Sequence, residues 1–368
     1  MRIVFVTQGA VWSPGGSYRV IYEYANQFVA LGREVLIVHP LHVEGKGIKD
    51  GSRPSRLRTA GTVVRRATRR SRPAWFRLDA RVKVQTVRSV RHALSVTMDS
   101  DTLFATSWRV AEIVGQQVDP QAQRLAYLIH HDEGLVGYDA KRVRSTWLLK
   151  CPKVFVSRHV FDGAVSDGIT GCHLVPNGLD HTRYRPLNDP SQRGPVVAMA
   201  LVDKVEKDPR TAVAATGYAR SRIPGLEVLA FGAGRRPDWL PAWVSYHQRL
   251  SDAELVSEIY NHASVFLSSS RFEGFCLPAA EAMACGAALV ATDSGGIHEF
   301  ARHGANALLV PPGDADALGK SLTRVLSDHD LRRELVRTGM ADVARLDWRT
   351  SAQLMLDVLD AASGSVRT

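Results

Sequence analysis

The sequence predicts an α/β protein built on doubly wound parallel sheets, and three observations carry that prediction. The chain opens strand–helix–strand: Arg2 to Thr7 and Glu34 to His39 are apolar strands around a helical pattern from Tyr18 to Leu31 that stops at Gly32. Short continuous apolar runs bounded by turn residues then recur down both halves, as in parallel strands buried on both faces. After about residue 315 the pattern is helical, over Ala317 to Leu326, Asp330 to Val343 and Arg349 to Ala362.

In the first half the strands expected after residue 40 are Thr102 to Ala105, Leu125 to Ile129, Lys153 to Ser157 and Cys172 to Val175. Pro176-Asn177-Gly178-Leu179-Asp180 is a turn. A second α/β unit comes next, with strands at Val196 to Ala200, Leu226 to Phe231, Val265 to Ser268, Ala288 to Thr292 and Ala307 to Val310. Ser251-Asp252-Ala253-Glu254 has the spacing of a capping box that opens a helix. The expected division is residues 1–175, residues 176–348 and a terminal helix over 349–368. Gly15-Gly16 lie at the carboxyl end of the first strand. Glycine there serves either a tight turn or the close approach of a ligand, and both readings stand.

With 368 residues, 45% of them hydrophobic and 23% charged, the chain is long enough to bury a core in each half. The start reads as a strand rather than a signal peptide, and no apolar run approaches the ~18 residues that span a bilayer. Cys151, Cys172, Cys276 and Cys285 have neither zinc spacing nor a disulfide framework, so a reducing cytoplasm is expected. The net charge is +10 and uneven: residues 41–100 hold fifteen Lys/Arg against four acids. One segment therefore supplies the whole imbalance.

Two acids carry most of the chemistry. Glu273 and Glu281 are separated by seven residues across Gly274-Phe275-Cys276-Leu277 and a helix from about Pro278 to Ala284. Pro278 suits the first helical position, the alanines are strong helix formers, and Gly286 suits the left-handed position past the end. The amides from Phe275 to Ala279 then point out of a helix N-terminus, a ready site for an anion. Glu281, expected on the first turn, leans toward the same ligand, and Glu273 reaches its other end. Either acid alone is an ordinary surface carboxylate; the two framing one loop and helix suit a nucleotide-sugar.

This run resembles the E-x7-E signature of the retaining nucleotide-sugar glycosyltransferases of family four. The next stretch of chain strengthens the resemblance: strand Ala288 to Thr292, the turn Asp293-Ser294-Gly295-Gly296, Glu299, Gly304, and Leu308-Leu309-Val310-Pro311-Pro312-Gly313-Asp314. It is specific over about residues 265–320 and looser elsewhere. It implies a GT-B fold: two Rossmann-like doubly wound domains facing a central cleft, with the last helix crossing back to the first domain. It implies transfer with retention, without a metal or a cofactor, from a nucleoside-diphosphate sugar to a hydroxyl acceptor.

The resemblance also assigns roles. Gly16, Lys204, Lys207 and the backbone of Gly274, Phe275, Cys276 and Leu277 would face the donor diphosphate. Glu273 would hold the sugar and Glu281 the ribose. A histidine closing strand Leu125 to Ile129 would bind the transferring sugar; His130 directly follows the strand, and His131 stays open as the alternative. Zinc at this pair is disfavoured, because adjacent strand residues point to opposite faces. Two departures stand out. The family's arginine slot falls on Val202, leaving Lys204 to stand in as a point charge. Cys276 occupies a position where glycine is common.

The basic segment, residues 41–95, has three readings: an anionic membrane leaflet, a phosphate-bearing acceptor, or a solvated face. Arg65, Arg66, Arg69 and Arg70 are its densest stretch. A membrane reading would place the enzyme at the inner face of the plasma membrane. A nucleic-acid-binding protein is disfavoured, since Trp75, Phe76 and Trp108 form no stacking series. A weakly active partner subunit is the other alternative, given Val202. Bacterial cell-surface glycans, glycolipids and glycosylated metabolites are the expected products.

Overall fold

The computed structural model describes residues 2–9, 14–44, 72–118 and 124–364. The chain divides into two compact units. The first holds residues up to Val156, Phe161–Val175 and the chain from Trp348 onward; the second holds Ser157–Val160 and Pro176–Asp347.

In the first unit, seven parallel strands form one sheet: β1 (Arg2–Val6), β2 (Glu34–His42), β3 (Lys83–Ser89), β4 (Thr102–Ala105), β5 (Arg124–Ile129), β6 (Lys153–Phe155) and β7 (Cys172–Leu174), in the order β3-β2-β1-β4-β5-β6-β7. The first helix, Gly16–Ala30, returns the chain from β1 to β2. Phe5 stacks between Phe28 of that helix and Phe104 of β4, with ring centroids 6.0 and 5.1 Å away. The final helix, Trp348–Gly364, packs on the first helix through Trp348 against Tyr24, and its Asp360 pairs at 3.1 Å with Arg33, just past that helix.

The second unit repeats the architecture with six parallel strands: β8 (Val196–Ala200), β9 (Glu227–Gly232), β10 (Val244–Gln248), β11 (Val265–Ser268), β12 (Ala288–Thr292) and β13 (Ala307–Val310), ordered β10-β9-β8-β11-β12-β13. Val197, Met199, Val228, Val265, Leu267, Val290 and Leu308 form its core with helices Pro209–Arg220 and Ala315–Ser327. In both sheets the order reverses once, between β1 and β4 and between β8 and β11. Open α/β sheets bind ligands outside the carboxyl ends of the strands at such reversals.

The sequence expectations miss β3 and β10. β3 buries only Val87 fully and lies at a sheet edge inside the basic segment; β10 is an edge strand that buries only Val244. Neither presents the apolar run that marks the inner strands. β6 also ends two residues short of the expected Ser157.

Candidate functional site

The reversal in the second sheet brings together the loop after β8 and the loop after β11. Two serines just past β11 knit them. Ser269 Oγ donates to the carbonyls of Lys207 and Asp208, at 3.1 and 2.8 Å. Ser270 Oγ donates to Glu273 Oε1 at 2.7 Å, and its carbonyl accepts from Thr292 Oγ1 at 2.6 Å. The Glu273 amide donates to Ser294 O at 2.9 Å, and Gly296 N donates back to Glu273 O at 3.1 Å. A Cβ at Gly296 would fall 2.3 Å from the Gly274 backbone, so only glycine lets these two loops close.

Inside this frame Lys207 Nζ meets Glu273 Oε1 at 2.7 Å. Burial works against the Lys207 ammonium, but the Glu273 carboxylate beside it outweighs burial and raises the pKa above its ordinary value. The site is thus a pre-formed pair of opposite charges in a partly desolvated loop. An anion can take the ammonium while hydroxyls take the carboxylate.

The helix behind Glu273 runs from Leu277 to Ala284, with Pro278 second rather than first. That start corrects one expectation: Glu281 is the fifth helical residue and opens the second turn, and the first turn holds no acid. Ala279 N and Ala280 N both reach Cys276 O, at 3.1 and 3.4 Å. Among the described residues, the amides of Gly274, Phe275, Cys276 and Leu277 have no protein acceptor. Backbone donors left open at a helix N-terminus are the components of an anion nest. The price of the geometry is visible at Cys276, which caps the helix at φ 73°, ψ 58°, a left-handed conformation that favours glycine. Its thiol is buried, pushed up to about 12, and therefore unreactive near neutrality.

Glu281 is buried at 4% exposure, and its Oε2 accepts the Tyr260 hydroxyl at 2.8 Å. Lys204 stays apart from this group: its side chain is exposed and its Nζ lies 3.5 Å from Glu206. Val202 is 41% exposed and contributes no charge.

In the first unit, Gly16 opens the helix Gly16–Ala30, and a Cβ at Gly15 or Gly16 would meet nothing within 4 Å among the described residues. Packing against the described residues therefore does not demand glycine at either position. His130 follows β5 directly. Both of its ring nitrogens are shut off from solvent with no hydrogen-bond partner among the described residues, and burial, aided by His131, pulls its pKa down to about 3. The imidazole is neutral. Arg65, Arg66, Arg69 and Arg70 lie outside the described residues.

Sequence reasoning missed three groups. Tyr260 and Ser270 hold the two acids, and Glu133 sits just past His130. Glu133 accepts from the Trp108 amide at 2.6 Å and lies 3.5 Å from Gln8 Nε2. Burial lifts its pKa to about 7, against the pull of the Trp108 amide. The Ser268-Ser269-Ser270 run was the available signal for the loop clamp. None existed for Tyr260 or Glu133, whose partners are distant in sequence.

Residues 240–341 match the family model described as "Glycosyl transferases group 1". Curated relatives include a D-inositol 3-phosphate glycosyltransferase of Nocardia farcinica, 30% identical over 51% of this chain and 47% of the relative. A phosphatidyl-myo-inositol mannosyltransferase of Mycolicibacterium smegmatis is 27% identical over 52% of each. The chain thus spans about half the length of these curated relatives. Among solved structures, the Anabaena HepE protein in complex with UDP-glucose superposes with a TM-score of 0.75 at 16% identity, covering 98% of this chain and 100% of that one. A sucrose-phosphate synthase from Thermosynechococcus elongatus gives 0.71 at 18% identity, covering 99% of each.

Proposed function

We propose that this chain, which belongs to the family-four (group 1) retaining glycosyltransferases and has their GT-B fold, moves a hexose from a nucleoside-diphosphate sugar to a hydroxyl acceptor. One observation carries the reading: the Lys207–Glu273 pair stands beside open amides at the start of the helix that bears Glu281. The amides of Gly274 to Leu277 and the Lys207 ammonium take the diphosphate, with Lys204 and the Gly16 backbone as outer contacts. Glu273, released from Lys207, orients the sugar hydroxyls. Glu281 accepts from the ribose.

Charge on the leaving diphosphate grows as the sugar becomes oxocarbenium-like, and fixed amides with one cation stabilise it without reorganising. The acceptor hydroxyl attacks from the leaving-group face, and a donor phosphate oxygen takes its proton. No metal enters this scheme. His130, neutral and without a hydrogen bond among the described residues, offers a ring nitrogen to a sugar hydroxyl.

Two relatives are named for inositol-bearing substrates, and the basic segment favours an anionic partner. We therefore take a phosphate-bearing lipid or glycan as the acceptor class, used at the cytoplasmic face of the plasma membrane. Among the described residues no helix is long and apolar enough to cross a membrane.

A thermal-shift panel of UDP-, GDP-, dTDP- and ADP-sugars tests the donor half. One donor should raise the melting temperature, and Glu281→Gln should lose most of that rise. No shift with any donor, together with no hydrolysis or transfer, contradicts the assignment. Sedimentation with anionic and neutral vesicles tests the membrane half: equal recovery in both rules it out.

A further inference from the structure

Tyr260 has a place in the second unit that packing alone does not explain. Its ring is fully buried among Phe231, Phe266 and Tyr184, with centroids 5.8, 5.9 and 6.2 Å away. Its hydroxyl passes out of this apolar cage to Glu281 Oε2 at 2.8 Å. A phenol buried among aromatic rings needs a partner for its O–H, and a carboxylate buried to 4% needs donors. Each meets the other's requirement.

The backbone that delivers Tyr260 is unusual. The capping box at Ser251–Glu254 starts an ordinary helical turn, and residues Leu255–Tyr260 then widen into a π-helical turn ending at Tyr260. A π turn adds a residue and shifts the phase of everything after it; such turns are rare and gather at functional sites. Continued α-helix would rotate residue 260 away from its present direction. The end of this turn is braced by Arg193, whose guanidinium donates to the carbonyls of Tyr260, Ala263 and Cys285 at 3.1, 3.0 and 2.8 Å. Cys285 caps the helix that carries Glu281. One buried arginine thus ties the Tyr260 turn to the Glu281 helix.

We infer that Tyr260 is a positioning residue for the donor nucleoside: its hydroxyl fixes the rotation of the Glu281 carboxylate so that the acid meets the ribose diol in one orientation. This rests on the assignment of Glu281 to the ribose. Burial drives the Tyr260 pKa well above its ordinary value, so the phenol remains a donor throughout the working pH range.

The test is a ratio of affinities. UDP and GDP, with their 2′-deoxy counterparts, are titrated into wild type, Tyr260→Phe and Tyr184→Phe. Phenylalanine keeps the ring in its cage and removes only the hydroxyl. Wild type should bind the better ribonucleotide more tightly than its 2′-deoxy form by about tenfold, the worth of one hydrogen bond to a charged group. Tyr260→Phe should bring that ratio to within about twofold of unity, while Tyr184→Phe preserves it. Retained discrimination in folded Tyr260→Phe, judged by an unchanged circular dichroism spectrum and cooperative melting, overturns the positioning role and leaves the Glu281 assignment standing. Absence of discrimination in the wild type overturns the Glu281 assignment itself, and this inference with it. If Tyr260→Phe does not fold, Tyr260→Met, which also removes the hydroxyl and leaves Glu281 in place, is titrated in the same way. A ratio near unity in that variant supports the linkage, and an unchanged ratio refutes it.

Discussion

In the second unit the charged groups beyond the strands are already paired, whereas in the first two buried histidine rings are neutral and keep ring nitrogens without a partner among the described residues. Lys207 holds Glu273 at 2.7 Å, and Arg271 holds Asp208 at 2.9 Å. In the first unit His130 has two buried ring nitrogens with no acceptor or donor among the described residues. His39 bonds Thr7 Oγ1 at 2.9 Å through Nδ1, and its Nε2 has no partner among the described residues. Burial holds both rings neutral, with pKa values near 3 and 4. A site made of opposed charges suits a charged ligand that exchanges one ion partner for another. A site made of desolvated neutral groups suits hydroxyls, which restore the missing hydrogen bonds. The two sets of groups therefore differ in protonation state as well as in residue type.

The largest effect expected from breaking this contrast is at Lys207. Lys207→Met leaves the Glu273 carboxylate, only 12% exposed, without its cation. Transfer should fall about 100-fold or more, the scale of losing one transition-state donor. Unfolding free energy should drop by about 1–3 kcal/mol. Steady-state kinetics and urea unfolding measure both; wild-type values in each would remove the ion pair from the account.

Glu133 gives the next effect. Its folded-state pKa, about 7, lies above the ordinary 4.5. The stability tied to its protonated form is therefore full below pH about 4.5 and is lost as pH rises through about 7. The loss is at most about 3 kcal/mol, from 1.36 kcal/mol per pKa unit. Glu133→Gln should remove that descent from a stability–pH profile. His39 and His130 have the opposite sign: their depressed pKa values withdraw stability as pH falls from about 6.5 toward 4 and 3. A Glu133→Gln profile that still declines from pH 5 to 7 would assign the descent elsewhere.

Smaller still is His130→Leu. Removing two unmatched nitrogens should raise stability by about 1 kcal/mol while transfer falls. A variant that gains no stability, or keeps full activity, would blur the difference between the halves. The smallest effect is Cys276→Gly. A non-glycine residue in the left-handed region costs of order 1 kcal/mol or more, and glycine's extra unfolded-state entropy offsets part of the relief. A gain of up to about 1 kcal/mol, with donor affinity unchanged, is expected. A large loss of affinity would mean the thiol itself contacts the ligand.

Much of the second unit was legible because its strands are apolar on both faces. Val196–Ala200, Val265–Ser268, Ala288–Thr292 and Ala307–Val310 have the ends their sequence suggests. The capping box at Ser251 and the left-handed Gly286 also follow from local chemistry. The edge strands β3 and β10 did not show themselves, since each buries one residue fully and exposes much of the rest. At the site, residue types were readable and their couplings were not. Nothing in the spacing announces that Lys207 and Glu273 pair, that a π turn aims Tyr260 at Glu281, or that Trp108 N draws Glu133 inward. These contacts join residues 66, 21 and 25 positions apart and depend on which strands become neighbours.

Hydrogen exchange read by mass spectrometry tests the account's centre most directly. With the nucleoside diphosphate that best stabilises the protein at saturation, the amides of Gly274 to Leu277 should exchange markedly more slowly. Protection should also extend to the loop holding Lys207, because the same phosphates engage both. Unchanged exchange at Gly274 to Leu277 in a protein shown to be saturated would contradict the claim that these open amides are the phosphate site.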